Sequence, residues 1–318
     1  MAFIMKKIYS VLSAVLLLFV FGVLFSSCSV KETEEVKMSI VTTIFPTYDF
    51  ARNIAGDKCE VTLLLKPGEE SHSYEPTPQD ILKIKECDVF IYIGGESDTW
   101  IASVLSSIED SDAEIVTLMD CVTPLEEEHI GEAGEEHGHE YDEHIWTSPV
   151  NAIKMTEKIS EAVKAADPEH AAEYSDNTEN YISKLRSLDS EFRNIVDHSA
   201  RKTIIVGDRF PFLYFAREYG LDYYAAFPGC SEESEVSAAT VADLVNKVKT
   251  ENIPVVFQIE MSNGRVADSI CAETGAEKLV LHSCNNISKD DYERGETYLS
   301  IMQKNASALK VALGYKDS

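Results

Sequence analysis

His129, His137, His139 and His144 fall within EEEHIGEAGEEHGHEYDEH, residues 126–144, interleaved with acids and glycines. Imidazole and carboxylate are the donors that first-row divalent cations take, and His is the commonest protein ligand for zinc-like metals. The first three of these histidines lie in a Gly-rich acidic loop whose ordering would cost conformational entropy, so they read as an auxiliary capture loop rather than a tight site. The plainer reading of that loop is a solvated acidic segment with incidental histidines. His144 differs, because it ends the loop and opens HIWTSP, where the chain turns apolar and Pro149 begins a helix. His72 lies in KPGEESHSYEPTPQD, just past a strand and between the Pro67-Gly68 turn and Pro76 and Pro78. Asp208 and Arg209 follow the apolar run IIV, Glu260 follows VVFQI, and His282 follows KLVL. His170 and His198 fall on a long polar helix and read as surface residues.

The elements that must position these side chains are legible as two series. Strands are expected over Ser39–Thr43, Glu60–Leu65, Asp88–Ile93 and Glu114–Leu118, with helices near Tyr48–Ile54, Pro78–Glu86 and Thr99–Ile108. A second series has strands over Lys202–Val206, Leu221–Ala226, Pro254–Ile259 and Lys278–Leu281, with helices near Phe212–Tyr219, Ala238–Thr250, Gly264–Thr274 and Tyr292–Leu313. Strands alternating with helices require parallel sheets, because a crossover helix must bring each strand round in the same direction. The expected fold is therefore α/β, with two lobes, each a parallel sheet of about four strands flanked by helices. Between the two series, residues 167–199 have no Gly, and no Pro after Pro168, and carry Tyr181, Leu185, Leu188, Phe192 and Ile195 at helical spacing. That predicts one long rigid helix joining the lobes, with Asp167 as its N-cap and Pro168 at its first position; a surface helix of one lobe is the alternative. Ligands of parallel α/β sheets bind beyond the carboxyl ends of the strands. His72, His144, Asp208, Glu260 and His282 all fall in such segments, from both lobes, which suits a divalent cation held in one cleft. Glu260 paired with Arg209 in a buried ion pair is the structural alternative.

Composition agrees with this chemistry. The chain has 318 residues, 28 Lys+Arg against 55 Asp+Glu, a net charge of −27 and 44% hydrophobic residues. That is a globular composition long enough for two cores, and so acidic a surface repels phosphate backbones, which excludes nucleic acid as partner. Lys6 and Lys7, the apolar run Ile8–Phe25 and Ser26-Ser27-Cys28 have the pattern of an export signal; an uncleaved membrane anchor is the alternative. Cys28 after the small pair resembles the lipidation site of bacterial lipoproteins, with Phe25 where that motif prefers Leu. The expected organisation is a signal peptide over 1–27, a polar tether over 28–37, an N-terminal lobe over 38–166, the linking helix over 167–199 and a C-terminal lobe over 200–318. Cys59, Cys87, Cys121, Cys230, Cys271 and Cys284 show no CxxC pair and read as mostly buried thiols.

VTTIFPTYDFARNIAGD, KPGEESHSYEPTPQD, DEHIWTSPVNA, FLYFAREYGL and GCSEESE follow one another in the order and spacing of the metal-binding lipoproteins of zinc and manganese ABC importers. The resemblance covers essentially all of residues 38–312. It implies two α/β lobes joined by one long helix, metal in the cleft between them, an ABC permease as partner, and extracytoplasmic anchoring by lipid. By motif, His72 and His144 take the family's first and second ligand positions, and the acidic His-rich loop resembles that of zinc-uptake members, favouring Zn2+ over Mn2+. The C-terminal half departs from the pattern. The family's third ligand falls on Arg209, a permanently charged guanidinium that cannot ligate a cation, and its fourth falls on His282. The expected site is thus His72, His144 and His282 with a carboxylate from Asp208 or Glu260, and Cys284 as an outside candidate for a softer ligand.

The leading expectation is a monomeric solute-binding lipoprotein with no enzymatic reaction. A secreted metallohydrolase with a three-ligand zinc site is the alternative from another class, although HExxH, GxSxG and P-loop signatures are absent. A surface adhesin is the third reading, suggested by the resemblance alone.

Overall fold

In the computed structural model the chain divides into two units, Met1–Val36 and Lys37–Ser318. The residues described are Met1, Met5, 37–70, 73–95, 98–108, 111–127, 141–228 and 236–316. Among them no helix is long and apolar enough to cross a membrane.

The β-branched run MSIVT forms strand β1, Met38–Thr42, and Pro46 in the first turn helps start helix α1, Phe45–Ala55, which stops at Gly56. Strand β2, Cys59–Leu63, follows, and Thr77 with Asp80 makes a reciprocal capping box that starts α2, Pro78–Glu86. Then come β3, Val89–Tyr92, α3, Thr99–Ser107, and β4, Glu114–Thr117. Ser148 caps α4, Pro149–Ala166, and the long helix α5 runs Ala171–Asp197. The second series is β5, Thr203–Arg209, α6, Leu213–Tyr219, β6, Asp222–Phe227, α7, Ala238–Glu251, β7, Val255–Gln258, α8, Arg265–Thr274, and β8, Glu277–Val280. Helices α9, Lys289–Glu293, and α10, Tyr298–Leu313, close the chain.

The pairings among these eight strands are all parallel, and the strand orders are β2-β1-β3-β4 and β6-β5-β7-β8. Each sheet reverses its direction of winding once, between β1 and β3 and between β5 and β7, and the crevice beyond those carboxyl ends is where such sheets take ligands. Each sheet buries one face under its own helices. Val41, Leu64, Phe90, Ile101 and Val104 form one outer cluster, and Ile205, Leu244, Val248, Val256 and Ile270 the other. The inner faces share a single continuous core running from Ile40 and Phe50 through Tyr181 and Phe192 to Phe257 and Leu309.

Helix α5 has 27 residues, about 40 Å at ~1.5 Å rise each. It touches the N-terminal lobe at its start, where the Tyr174 hydroxyl lies 3.3 Å from Cys59 Sγ, and the C-terminal lobe at its end, where the Phe192 ring packs edge-on to Phe215. That settles its path in favour of a helix common to both lobes. Asp49 ties three elements together. Fully buried, it receives the Tyr181 hydroxyl of α5 at 3.1 Å, the Tyr298 backbone N–H of α10 at 3.1 Å and the Arg52 guanidinium at 2.7 Å.

Two local expectations are corrected. Asp167 does not cap the long helix: Pro168–His170 is a 3-10 turn, α5 begins at Ala171, and the Asp167 carboxylate instead accepts the His170 imidazole and the Tyr174 hydroxyl. The helix expected over Tyr292–Leu313 is broken in two, because Gly295 adopts φ 74° and Thr297 forms a new capping box with Ser300.

Candidate metal centre

Cys28, His72, His129, His137 and His139 lie outside the described residues. The other expected residues can be placed. A cleft of about 300 Å³ between the lobes is lined by His144 with Glu69 and Glu70 on one side, and by Asp208, Arg209 and Glu260 on the other. Among the described residues, no three His, Cys, Asp or Glu side chains converge closely enough to hold an ion.

His144 is the best-prepared donor. Its backbone N–H and ring Nδ1 both meet Asp142 Oδ1, at 2.8 and 3.2 Å. With the Nδ1 proton committed to a buried carboxylate, the tautomer that follows carries its lone pair on Nε2, the arrangement that orients a metal-binding imidazole. Asp142 is fixed in turn: the Tyr214 hydroxyl donates to its carbonyl at 2.9 Å and accepts from the Leu125 N–H at 3.0 Å. Asp142 was not singled out from the sequence, although a carboxylate two residues before a histidine on an extended segment faces the same way.

Asp208 and Arg209 would point to opposite faces of a regular strand. The register of β5 against β6 slips here, with Val206 opposite Ala225 but Arg209 opposite Phe227. This bulge, with one extra residue in β5, brings both side chains to the cleft. Gly207 is obligatory at the bulge, because a Cβ there would stand 2.6 Å from the backbone of Ala267 in α8. Asp208 Oδ1 accepts the Arg209 N–H at 3.0 Å, and Oδ2 is buried without a hydrogen-bond partner. A carboxylate oxygen left without a donor in this way is costly unless something positive reaches it.

Glu260 does not pair with Arg209. Its carboxylate accepts the Ser283 N–H at 2.7 Å and the Ser283 hydroxyl. Ser283 also supplies the carbonyl that receives the Trp146 indole N–H at 2.8 Å, and the Trp146 carbonyl accepts the Tyr298 hydroxyl at 2.7 Å. His144 and Glu260 are therefore held relative to one another across the lobes through Trp146 and Ser283. The two turns carrying this link are strained: Met261 and Cys284 adopt φ 55° and 64°, left-handed values that side chains with a Cβ seldom take. Asn286 makes a second tie, donating to the carbonyls of Lys66 at 3.0 Å and Glu69 at 2.6 Å.

His282 lies next to Glu260. Its Nδ1 accepts the Cys284 N–H at 2.9 Å and lies 3.6 Å from Glu260, and the residue borders a small cavity together with Phe212, Phe215 and Met302. Cys284 is fully buried, and burial, with the charges of Glu260 and Asp49, holds its thiol well above the ordinary range. The other described cysteines, Cys59, Cys87, Cys121 and Cys271, are also free thiols. The buried Asp98 carboxyl is pushed up to about 7 by burial, with backbone N–H bonds from Gly94 and Ile93 opposing and the Glu143 charge adding to the shift.

The family described as zinc-uptake complex component A, periplasmic (ZnuA), matches residues 40–312. The chain belongs to that family. It is 33% identical to the zinc-binding lipoprotein AdcA of Streptococcus pneumoniae over 96% of its own length, and spans 61% of that longer relative. It is 34% identical to the high-affinity zinc uptake system protein ZnuA of Bacillus subtilis, covering 87% of this chain and 88% of that one. The Zn(II)-bound ZnuA-like domain of Streptococcus pneumoniae AdcA superposes with a TM-score of 0.74 at 32% identity, covering 87% of this chain and 99% of that domain. Two four-stranded parallel sheets bridged by one long helix are thus this family's fold, as the residues and the resemblance both implied.

Proposed function

We propose that this protein is an extracytoplasmic solute-binding component that captures Zn2+ in the inter-lobe cleft and delivers it to an ABC permease. Mn2+ is the alternative metal, but imidazole donors and the Irving–Williams order favour zinc. The observation that carries the reading is His144, oriented by Asp142 and lining one cleft with Asp208 and Glu260. His72 and His144 are the imidazole ligands, Asp208 and Glu260 supply the anionic side, and His282 stands behind Glu260 as its support. His129, His137 and His139 collect ions for the cleft. The protein acts as a monomer held to the membrane by lipid on Cys28, and no chemical reaction is assigned to it, since its relatives are zinc-uptake components.

Calorimetric titration of Zn2+ and Mn2+ into wild type, His144→Ala and His282→Ala tests this. Wild type should bind one Zn2+ tightly, and His144→Ala should lose more than the ~10–100-fold that removing an outer partner of a ligand costs. His282→Ala should lose less than His144→Ala. A wild type that fails to bind Zn2+, or a His144→Ala variant that binds it as tightly, sinks the proposal.

A further inference from the structure

We infer that the cleft takes its cation together with a small carboxylate chelator, an amino acid or hydroxy acid bound to the ion, whose free carboxylate is held by Arg209. This rests on the metal-capture reading above and specifies the form of the cargo. The first observation is Arg209 itself. Its guanidinium lies in the cleft, 31% exposed, and among the described residues its one carboxylate neighbour is Glu70 Oε2 at 4.0 Å, the limit of an ion pair. Neither carboxylate on its own wall is its partner, since Glu260 is bound by Ser283 and Asp208 by the Arg209 backbone N–H. A planar fork of five donors, always charged, is thus presented to the cleft, and a carboxylate is the group it fits bidentately.

The second observation is size. An ion with ligands at about 2.0–2.3 Å needs only a corner of a cleft of about 300 Å³, in which a water molecule's share is about 30 Å³. The third is the sign of the surroundings. Glu69, Glu70, Asp208 and Glu260 would repel a free organic anion, whereas Arg209 and Arg265 on the same wall oppose a bare cation. A chelate, cationic at the metal and anionic at its far carboxylate, satisfies both halves at once. Asn263 adds a neutral donor: its carboxamide oxygen accepts the Arg265 N–H at 3.0 Å, which turns its NH2 to other partners.

Equilibrium dialysis of the full chain with radiolabelled citrate or L-histidine, with and without Zn2+, tests this and separates the two chelator classes. One label should be retained close to mole for mole with Zn2+, and neither without it. Arg209→Gln should weaken retention of the chelate at least tenfold, and Arg209→Lys, which keeps the charge without the fork, should weaken it less. Zn2+ binding while both labels stay with the buffer overturns the inference and leaves metal capture standing; so does a chelate that binds Arg209→Gln as well as wild type. Failure of Zn2+ to bind in any form overturns both. The wild-type result decides even if a variant fails to fold.

Discussion

The hydrogen bond between Asp142 and His144 is the smallest feature with a functional consequence, because it selects the nitrogen that faces the cleft. Replacing Asp142 by Ala frees the ring to turn and removes the tautomer preference, so zinc affinity should fall by about 10–100-fold with the fold retained. Parallel calorimetry and thermal melts check this, and an unchanged affinity would mean that His144 is not a ligand. Binding requires unprotonated imidazole, so affinity should also decline below about pH 6. Arg209 shows the limit of reading residues singly. In sequence it occupies a ligand's place and looks like a loss, whereas the bulge that carries it also delivers Asp208 to the same cleft.

At the scale of elements, the loop between β3 and α3 carries a pH-sensitive group. Asp98 is pushed by burial from 3.8 to about 7, so across that window the folded chain keeps a proton that the unfolded chain has released. The native state binds more protons, and stability therefore falls as pH rises from about 4 to about 7, by about 4 kcal/mol in full. Asp98→Asn keeps an acceptor for the Ile93 and Gly94 N–H groups and cannot ionise. Urea denaturation at pH 5 and pH 8 should show the variant gaining on wild type at the higher pH, and parallel pH profiles would refute the assignment. The strained turns at Met261 and Cys284 belong to this scale too, since both follow residues of the Glu260–Ser283 pair and fix its geometry.

For the whole molecule, the ties between lobes argue against a wide hinge. The Asp49 cluster joins α1, α5 and α10, Trp146 and Asn286 cross the cleft, and the inner core is continuous from one sheet to the other. Opening the lobes would break buried hydrogen bonds costing about 1–3 kcal/mol each if left unsatisfied. Crystal structures with and without Zn2+ should therefore superpose with the same lobe orientation, and small-angle scattering should give one radius of gyration. A large rotation on binding would contradict this account.

The sequence by itself determined the alternation of strands and helices, the two parallel sheets, the long helix and the motifs at His72 and His144, because these depend on periodicity, turn residues and short spacings. It also marked Asp208 and Glu260 as strand-end carboxylates. Tertiary structure alone decided that α5 belongs to both lobes, that Gly295 and Thr297 split the final helix, and that Ser283 holds the Glu260 carboxylate next to His282. Those outcomes turn on a one-residue bulge, on left-handed turns and on partners far apart in sequence, such as Trp146 with Ser283. No local pattern encodes them, because the free energy that fixes each arises only once distant segments have packed.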